Sequence, residues 1–470
     1  MFRIFKKNLF LLILSLFFLI PTPAYAHAFG QQYVLPVPFW LYAYGAASAV
    51  IISFVIVGFF VKETKKKSGY PTKDITGILN FAQNRAFLNI VKAISVLLLI
   101  ITILSGLFGI QDPTANFNMT FFWIIFYLGI AYISALFGDI YATLNPWKII
   151  SEKFFSNEEK IFQYPKKLGY CPALLFYFLF VWIELVGRVG PYGLSLALVI
   201  YSVISFLGAY SFGYETWFRY GDFFSVFYRL LGNLSIVEKK GNKFYLRPPF
   251  VGVLNKKVEH FSIVLFVLFM LSSTAFDGFR ETQSWWDLYF NALAPVQNLL
   301  GDNAPAILST LGLIAAPLVF LSLYLLLIWL MKVIVGIKTS FKDLVFSFAF
   351  SLIPIALVYN IAHYYTLLAI QGQAIISLIS DPLGIGWNLF HTKDFLPNIG
   401  LISVNSIWHS QVLFILVGHI AAVYLAHIVA IETFPTHRKA ILSQFPMLAL
   451  MVAYTVAGLW ILSQPLTSGF

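Results

Sequence analysis

About ten separate stretches of roughly 20 apolar residues divide this chain, and that repetition leaves few ways to fold it. They run near 38–61, 87–110, 120–143, 170–187, 192–213, 261–279, 305–331, 344–370, 407–432 and 442–463. A helix of that length crosses a hydrocarbon layer about 30 Å thick, and it satisfies its backbone hydrogen bonds internally. The expected fold class is therefore all-α, a polytopic transmembrane helix bundle of about ten spans. Composition agrees. Of 470 residues, 59% are hydrophobic and only 11% are charged, too few charges to cover a soluble surface of this size.

The first 26 residues read as a secretory signal peptide. Arg3, Lys6 and Lys7 precede a short apolar core from Leu9 to Ile20, Pro21 and Pro23 break it, and Ala24-Tyr25-Ala26 supplies a small-x-small cleavage site. Cleavage there makes His27 the mature N-terminus and leaves 27–470 as a single multi-span membrane domain. The lone cysteine, Cys171, rules out an intrachain disulfide framework and reads as a small buried side chain near a helix start.

Basic residues fall in alternate loops. Lys62, Lys65, Lys66 and Lys67 follow the first run, Lys148 to Lys167 the third, Arg219 to Lys257 the fifth, Lys332 to Lys342 the seventh, and Arg438 and Lys439 the ninth. The intervening loops hold only Arg188, Arg280 and Lys393. This alternation is the positive-inside pattern. It expects a multi-pass protein of the bacterial inner membrane with both mature termini on the outer side. The net charge of +11 is thereby topological, its partner is the lipid bilayer, and nothing points to nucleic acid. A cytoplasmic insertion is expected near 214–260, with a hairpin turning at Lys240-Gly241-Asn242. Trp285 to Phe290 reads as an interfacial helix. Asn118-Met119-Thr120 matches a glycosylation sequon.

Ionisable groups within the spans are costly and mark candidate sites. His363, His409 and His419 fall in the outer half or the middle of their spans, as do Glu184 and Asp277 at the outer ends of theirs. With His27 they form one layer in depth. Imidazoles from separate helices are good ligands for copper or zinc, and a mature N-terminal histidine adds an amine and an imidazole suited to copper. His27, His363, His409 and His419 are thus candidate metal ligands, and Asp277 or Glu184 the candidate base. His427 lies about 12 Å further along the helix than His419, too far to share an ion with it. Haem is the less favoured cofactor, since no CxxCH is present. The competing reading is structural: helix-to-helix hydrogen bonds for the histidines, and ion pairs for Glu184 with Arg188 and Asp277 with Arg280.

Three stretches carry a resemblance. They are His27 to Gly30 with Leu35 to Trp40; Leu144-Asn145-Pro146-Trp147; and a C-terminal set with Ala362-His363-Tyr364, Gln371, Gln373, Ser380-Asp381-Pro382, Gly418-His419 and Ala426-His427. Together they resemble a bacterial membrane-protein family labelled fenitrothion hydrolase, over most of the chain. The resemblance implies an integral membrane protein that hydrolyses organophosphate triesters.

Two functions follow as expectations. One is a metal-dependent hydrolase, a bound cation polarising a phosphoryl oxygen at the outer face and a small-molecule ester as substrate. The other is a non-enzymatic transporter or accessory subunit for a metal ion, a proton or a small solute, its path continuing through His427, Asp139 and Glu432. N-terminal sequencing of the purified protein should begin at His27; a sequence starting at Met1 would show an uncleaved anchor.

Overall fold

The computed structural model describes residues 37–61, 69–155, 157 and 160–464. The signal segment and His27 lie outside them. Among the described residues, ten helical segments are long and apolar enough to cross a membrane. Helices α1 (Phe39–Phe60), α2 (Arg85–Phe108) and α3 (Phe117–Phe137) come first. The short α4 (Pro146–Phe154) leads to α5 (Lys166–Gly187) and α6 (Pro191–Phe212). Two more short helices, α7 (Tyr214–Tyr220) and α8 (Phe223–Gly232), precede α9 (Phe261–Arg280). Helix α10 (Gln283–Leu300) passes through a tight turn into α11 (Ala304–Val335), the two forming one candidate span. The last are α12 (Phe341–Leu378), α13 (Val404–Thr433) and α14 (His437–Ser463). The expected all-α polytopic bundle is what the chain forms.

Helix boundaries follow local chemistry. The Asn84 side chain accepts hydrogen bonds from the backbone of Ala86 and Phe87 and so starts α2. Asn116 starts α3 in the same way, and Pro191 occupies the first turn of α6, where its missing N–H costs nothing. Helix α3 stops earlier than its apolar run because Gly138 turns left-handed at φ 98°. Asp139 therefore lies beyond the span, and its carboxylate caps the backbone of Ala142 at 3.1 Å.

Burial separates centre from rim. In α9 and α12, 83% of the apolar window is buried within the protein, against 11% in α2. Helix α12 packs between α9 and α13, α13 against α14 and α1, and α2 against α6. The periphery leaves apolar side chains outward, as on Ile90, Ile94 and Leu97 of α2, the arrangement a lipid-facing helix needs.

Helix α8 is too short to cross a bilayer, roughly 15 Å long, yet nearly all of it is buried. Its Phe223 and Phe224 fill an aromatic core between α3, α5 and α6. Trp147 stacks on Phe224 at 5.7 Å and Tyr177 on Phe223 at 5.5 Å between ring centres. The segment near 214–260 is thus only partly an outlying insertion. Its hairpin pairs β2 (Val237–Lys240) with β3 (Lys243–Leu246), and β1 (Lys73–Asp74) adds a third strand on the other side of β3. Gly241 takes the left-handed turn position. Arg247 ties the base, donating to the carbonyls of Ser235 at 2.9 Å and Asn233 at 3.0 Å.

Two expectations fail on burial. Cys171 is exposed rather than buried. Asn118 is fully buried and donates to the Pro191 carbonyl at 2.8 Å, so its sequon is a packing element with no room for a glycan.

The Asn145-Pro146-Trp147 motif is a structural joint. Asn145 Oδ1 accepts from the Lys148 backbone at 3.0 Å to cap α4, and its Nδ2 donates to Ser225 Oγ at 2.9 Å and Asp222 at 3.3 Å. Asp222 also accepts from Tyr201 and caps α8 through the Ser225 backbone at 2.8 Å. Burial pushes the Asp222 carboxyl up from its ordinary range, and these donors pull it back. The Trp147 indole N–H donates to Ser202 at 2.7 Å. Replacing Asn145 with Ala removes the cap and strands Asp222 of one donor, so it should lower stability by about 1–3 kcal/mol. Thermal unfolding in detergent would read this as a lower transition temperature than wild type; an unchanged one would refute the joint.

Candidate functional site

The helices that join the lysine-rich loops define one end of the bundle, called here the basic end. Helices α5, α9 and α12 all run away from it, and the last turns of α5 and α9 meet α12 around His363. Four polar side chains converge there. Asp277 and Arg280 share a face of α9, three residues apart, and His363 and Tyr364 come from α12.

Asp277 is the hub. Its Oδ2 lies 2.8 Å from His363 Nε2 and accepts the Tyr364 hydroxyl at 2.6 Å. Its Oδ1 faces Arg280 Nη2 at 3.8 Å, and the same guanidinium reaches Glu281 at 3.7 Å. Arg280 also donates through Nη1 to the Leu185 carbonyl in the last turn of α5, one of the helix-end acceptors that have no partner within their own helix. Three helices are thereby tied at one carboxylate and one guanidinium. The side chains of Asp277 and Arg280 are about one-tenth exposed, and that of His363 is 21% exposed. Gly278 keeps the approach open: a Cβ there would meet Ile461 at 2.7 Å and His363 at 3.7 Å.

Glu184 on α5 lies within electrostatic reach of Asp277 and Arg280, with no hydrogen bond to either. Its expected ion pair with Arg188 is not formed, because Arg188 turns left-handed at φ 41° as α5 ends. Just beyond α9, burial pushes the Glu281 carboxyl up while Arg280 draws it down.

The other predicted site residues lie elsewhere. His419 is fully buried on α13, its Nδ1 2.8 Å from the Ile415 carbonyl and its Nε2 without a protein partner. His409 is exposed, with Nδ1 2.8 Å from the Asn405 carbonyl and its ring beside Tyr42. His427 sits between the Val61 carbonyl at 3.0 Å and Gln444. Glu432 is exposed. No group of three or more His, Cys, Asp or Glu side chains among the described residues is arranged to hold a metal ion. The layer of ligands expected from His363, His409 and His419 is therefore not assembled: depth agrees, but the rings face different neighbours.

What the cluster can do follows from the Asp277–His363 bond. An ionised carboxylate only accepts, so the neutral imidazole bonded to it carries its hydrogen on Nε2 and its lone pair on Nδ1. Nδ1 has no hydrogen-bond partner among the described residues. The pair can take a proton at that nitrogen and hold the resulting cation against Asp277. Sequence reading paired Asp277 with Arg280 correctly but missed Tyr364; the only signal for it was its place next to His363.

The chain matches no protein-family model, no curated protein and no solved structure.

Asp277→Ala would leave Arg280 with one countercharge instead of two and strip His363 and Tyr364 of their shared acceptor, at a cost of about 3–5 kcal/mol. Tyr364→Phe removes one hydrogen bond to the carboxylate and costs about 1–2 kcal/mol. Unfolding of the two variants in detergent should rank them in that order; equal stabilities would contradict the hub.

Proposed function

We propose that this multi-pass membrane protein moves protons across the bacterial inner membrane, with the His363–Asp277 pair as the group that binds and releases them. The observation behind this is the 2.8 Å contact between an imidazole and a carboxylate supplied by two different spans, the two most buried helices of the bundle. Ionisable groups in such a position are expensive, and proton relays are a recurrent reason for keeping them. Arg280 supplies the fixed positive charge that lets Asp277 stay ionised beside it. The free Nδ1 of His363 is then the acceptor. In the orientation that the alternating loop charges suggest, the pair opens toward the outer face.

A second reading uses the same nitrogen. The resemblance to the fenitrothion hydrolase family suggests hydrolysis of organophosphate triesters, and the partial exposure of the His363 side chain would admit water to Nδ1. His363 would then act as general base, oriented by Asp277.

The full chain in sealed liposomes with an enclosed pH dye should dissipate an imposed proton gradient faster than protein-free liposomes. His363→Gln and Asp277→Asn should each slow this about tenfold or more, the equivalent of one charge-assisted hydrogen bond. Arg219→Gln, an exposed pair with Glu259 at the basic end, should not. Flux that survives in both site variants would sink the proposal; an organophosphate triester cleaved by wild type and spared by His363→Gln would favour the second reading instead.

A further inference from the structure

A cleft of about 170 Å³ opens at the basic end, remote from the His363 site, between α2, α4 and the strand β2. Its charged lining is Lys92, Lys148, Lys239 and Glu152, three ammonium groups against one carboxylate. Glu152 does not neutralise them tightly: Lys92 and Lys148 each stand 3.7 Å from it, and both remain partly exposed. The Lys239 ammonium lies over the Phe244 ring at 5.6 Å rather than on an acid. Asp139, the other nearby carboxyl, accepts the Ala142 N–H and is shared electrostatically between Arg229 and Lys148, so three lysines and Arg229 still outnumber the two acids. The cleft is thus left with surplus positive charge and spare N–H donors.

Its depth and its rim say what kind of anion fits. Lys92 is part of a helix long and apolar enough to span, about 10 Å along α2 from Arg85, a position from which a lysine ammonium snorkels toward the headgroups. Ala82 and Leu88 line the same cleft. Beside them in the chain, Phe81 and Phe87 are exposed and meet edge to face at 5.6 Å, and Ile78 is exposed too. The Phe81–Phe87 lip lies nearer the helix start than Lys92, and aromatic rings together with lysines mark the headgroup zone of a bilayer. A free phosphate would gain nothing from that lip.

We propose that this cleft holds the phosphate of an anionic phospholipid headgroup, with Lys92 and Lys148 as its direct partners and the Phe81–Phe87 lip beside the headgroup. The bound phosphate replaces Glu152 as the partner of both lysines. Lys239 adds charge from the hairpin, so a lipid in the cleft would also tie β2 to α2.

Native mass spectrometry of the full chain in detergent tests this with phosphatidylglycerol and phosphatidylcholine of matched acyl chains. Wild type should retain phosphatidylglycerol about tenfold better, and Lys92→Gln with Lys148→Gln should abolish that preference. The paired control Lys332→Gln with Lys342→Gln, at the same end but outside the cleft, should leave it unchanged. Glu152→Gln should strengthen retention, because it removes the competing carboxylate while keeping the fold. The proposal is overturned if the double variant keeps the wild-type preference, or if Glu152→Gln weakens it. It is equally overturned if glycerol phosphate without acyl chains binds as tightly as the lipid.

Discussion

Hydrocarbon offers a peptide backbone no hydrogen bonds, and the architecture of this chain follows from that one constraint. Each apolar run closes its own ladder as a helix, and each helix ends where a side chain or a glycine settles the leftover groups. Asn84, Asn116 and Asn145 settle helix starts. Arg280 does the same for a helix end, since the carbonyl it takes from α5 is one that helix leaves open. The far-end cluster is therefore both a joint between three helices and a concentration of charge. Its members sit where the backbone needed a donor and the bilayer supplied none.

The two centres divide the labour of the bundle differently. At the far end, Asp277 collects two donors from α12 on one oxygen and faces Arg280 with the other, leaving a single imidazole nitrogen free. Around α8, aromatic stacking replaces charge, and the polar groups present, Asn145, Asp222 and Ser225, bond to one another. The first arrangement retains a partly exposed base; in the second these three groups satisfy one another, although the buried Tyr141 hydroxyl beside them has no partner. That contrast is the physical reason for assigning chemistry to one and support to the other.

How much of this the sequence disclosed varied with the range of the interaction. Span number and span limits were readable because run length and hydropathy are local properties, and most expected ends fall within a few residues of the observed ones. Helix α3 was read too long because apolar residues continue past Gly138, and only the backbone angle there shows the stop. Helix α8 was taken for part of a loop insertion, since ten residues cannot span a bilayer and nothing local reveals that they are packed inside. The Asn145-Pro146-Trp147 motif looked like a family mark and turned out to be a cap and a clamp. Depth placed Asp277 and His363 in the same layer, and they do meet, although 86 residues separate them. Depth also grouped His409 and His419 with them, and there it failed. Helix rotation and the choice of neighbours are properties of the bundle, and no spacing within α12 or α13 encodes them.

The exposure of Cys171 has a practical consequence. It is the chain's single cysteine, at the first residue of the regular helical stretch in α5. A thiol-directed dye would therefore mark one position without any engineered background. That position belongs to the helix whose other end is gripped by Arg280, so a spectroscopic ruler anchored there would register any tilt of α5 against its neighbours.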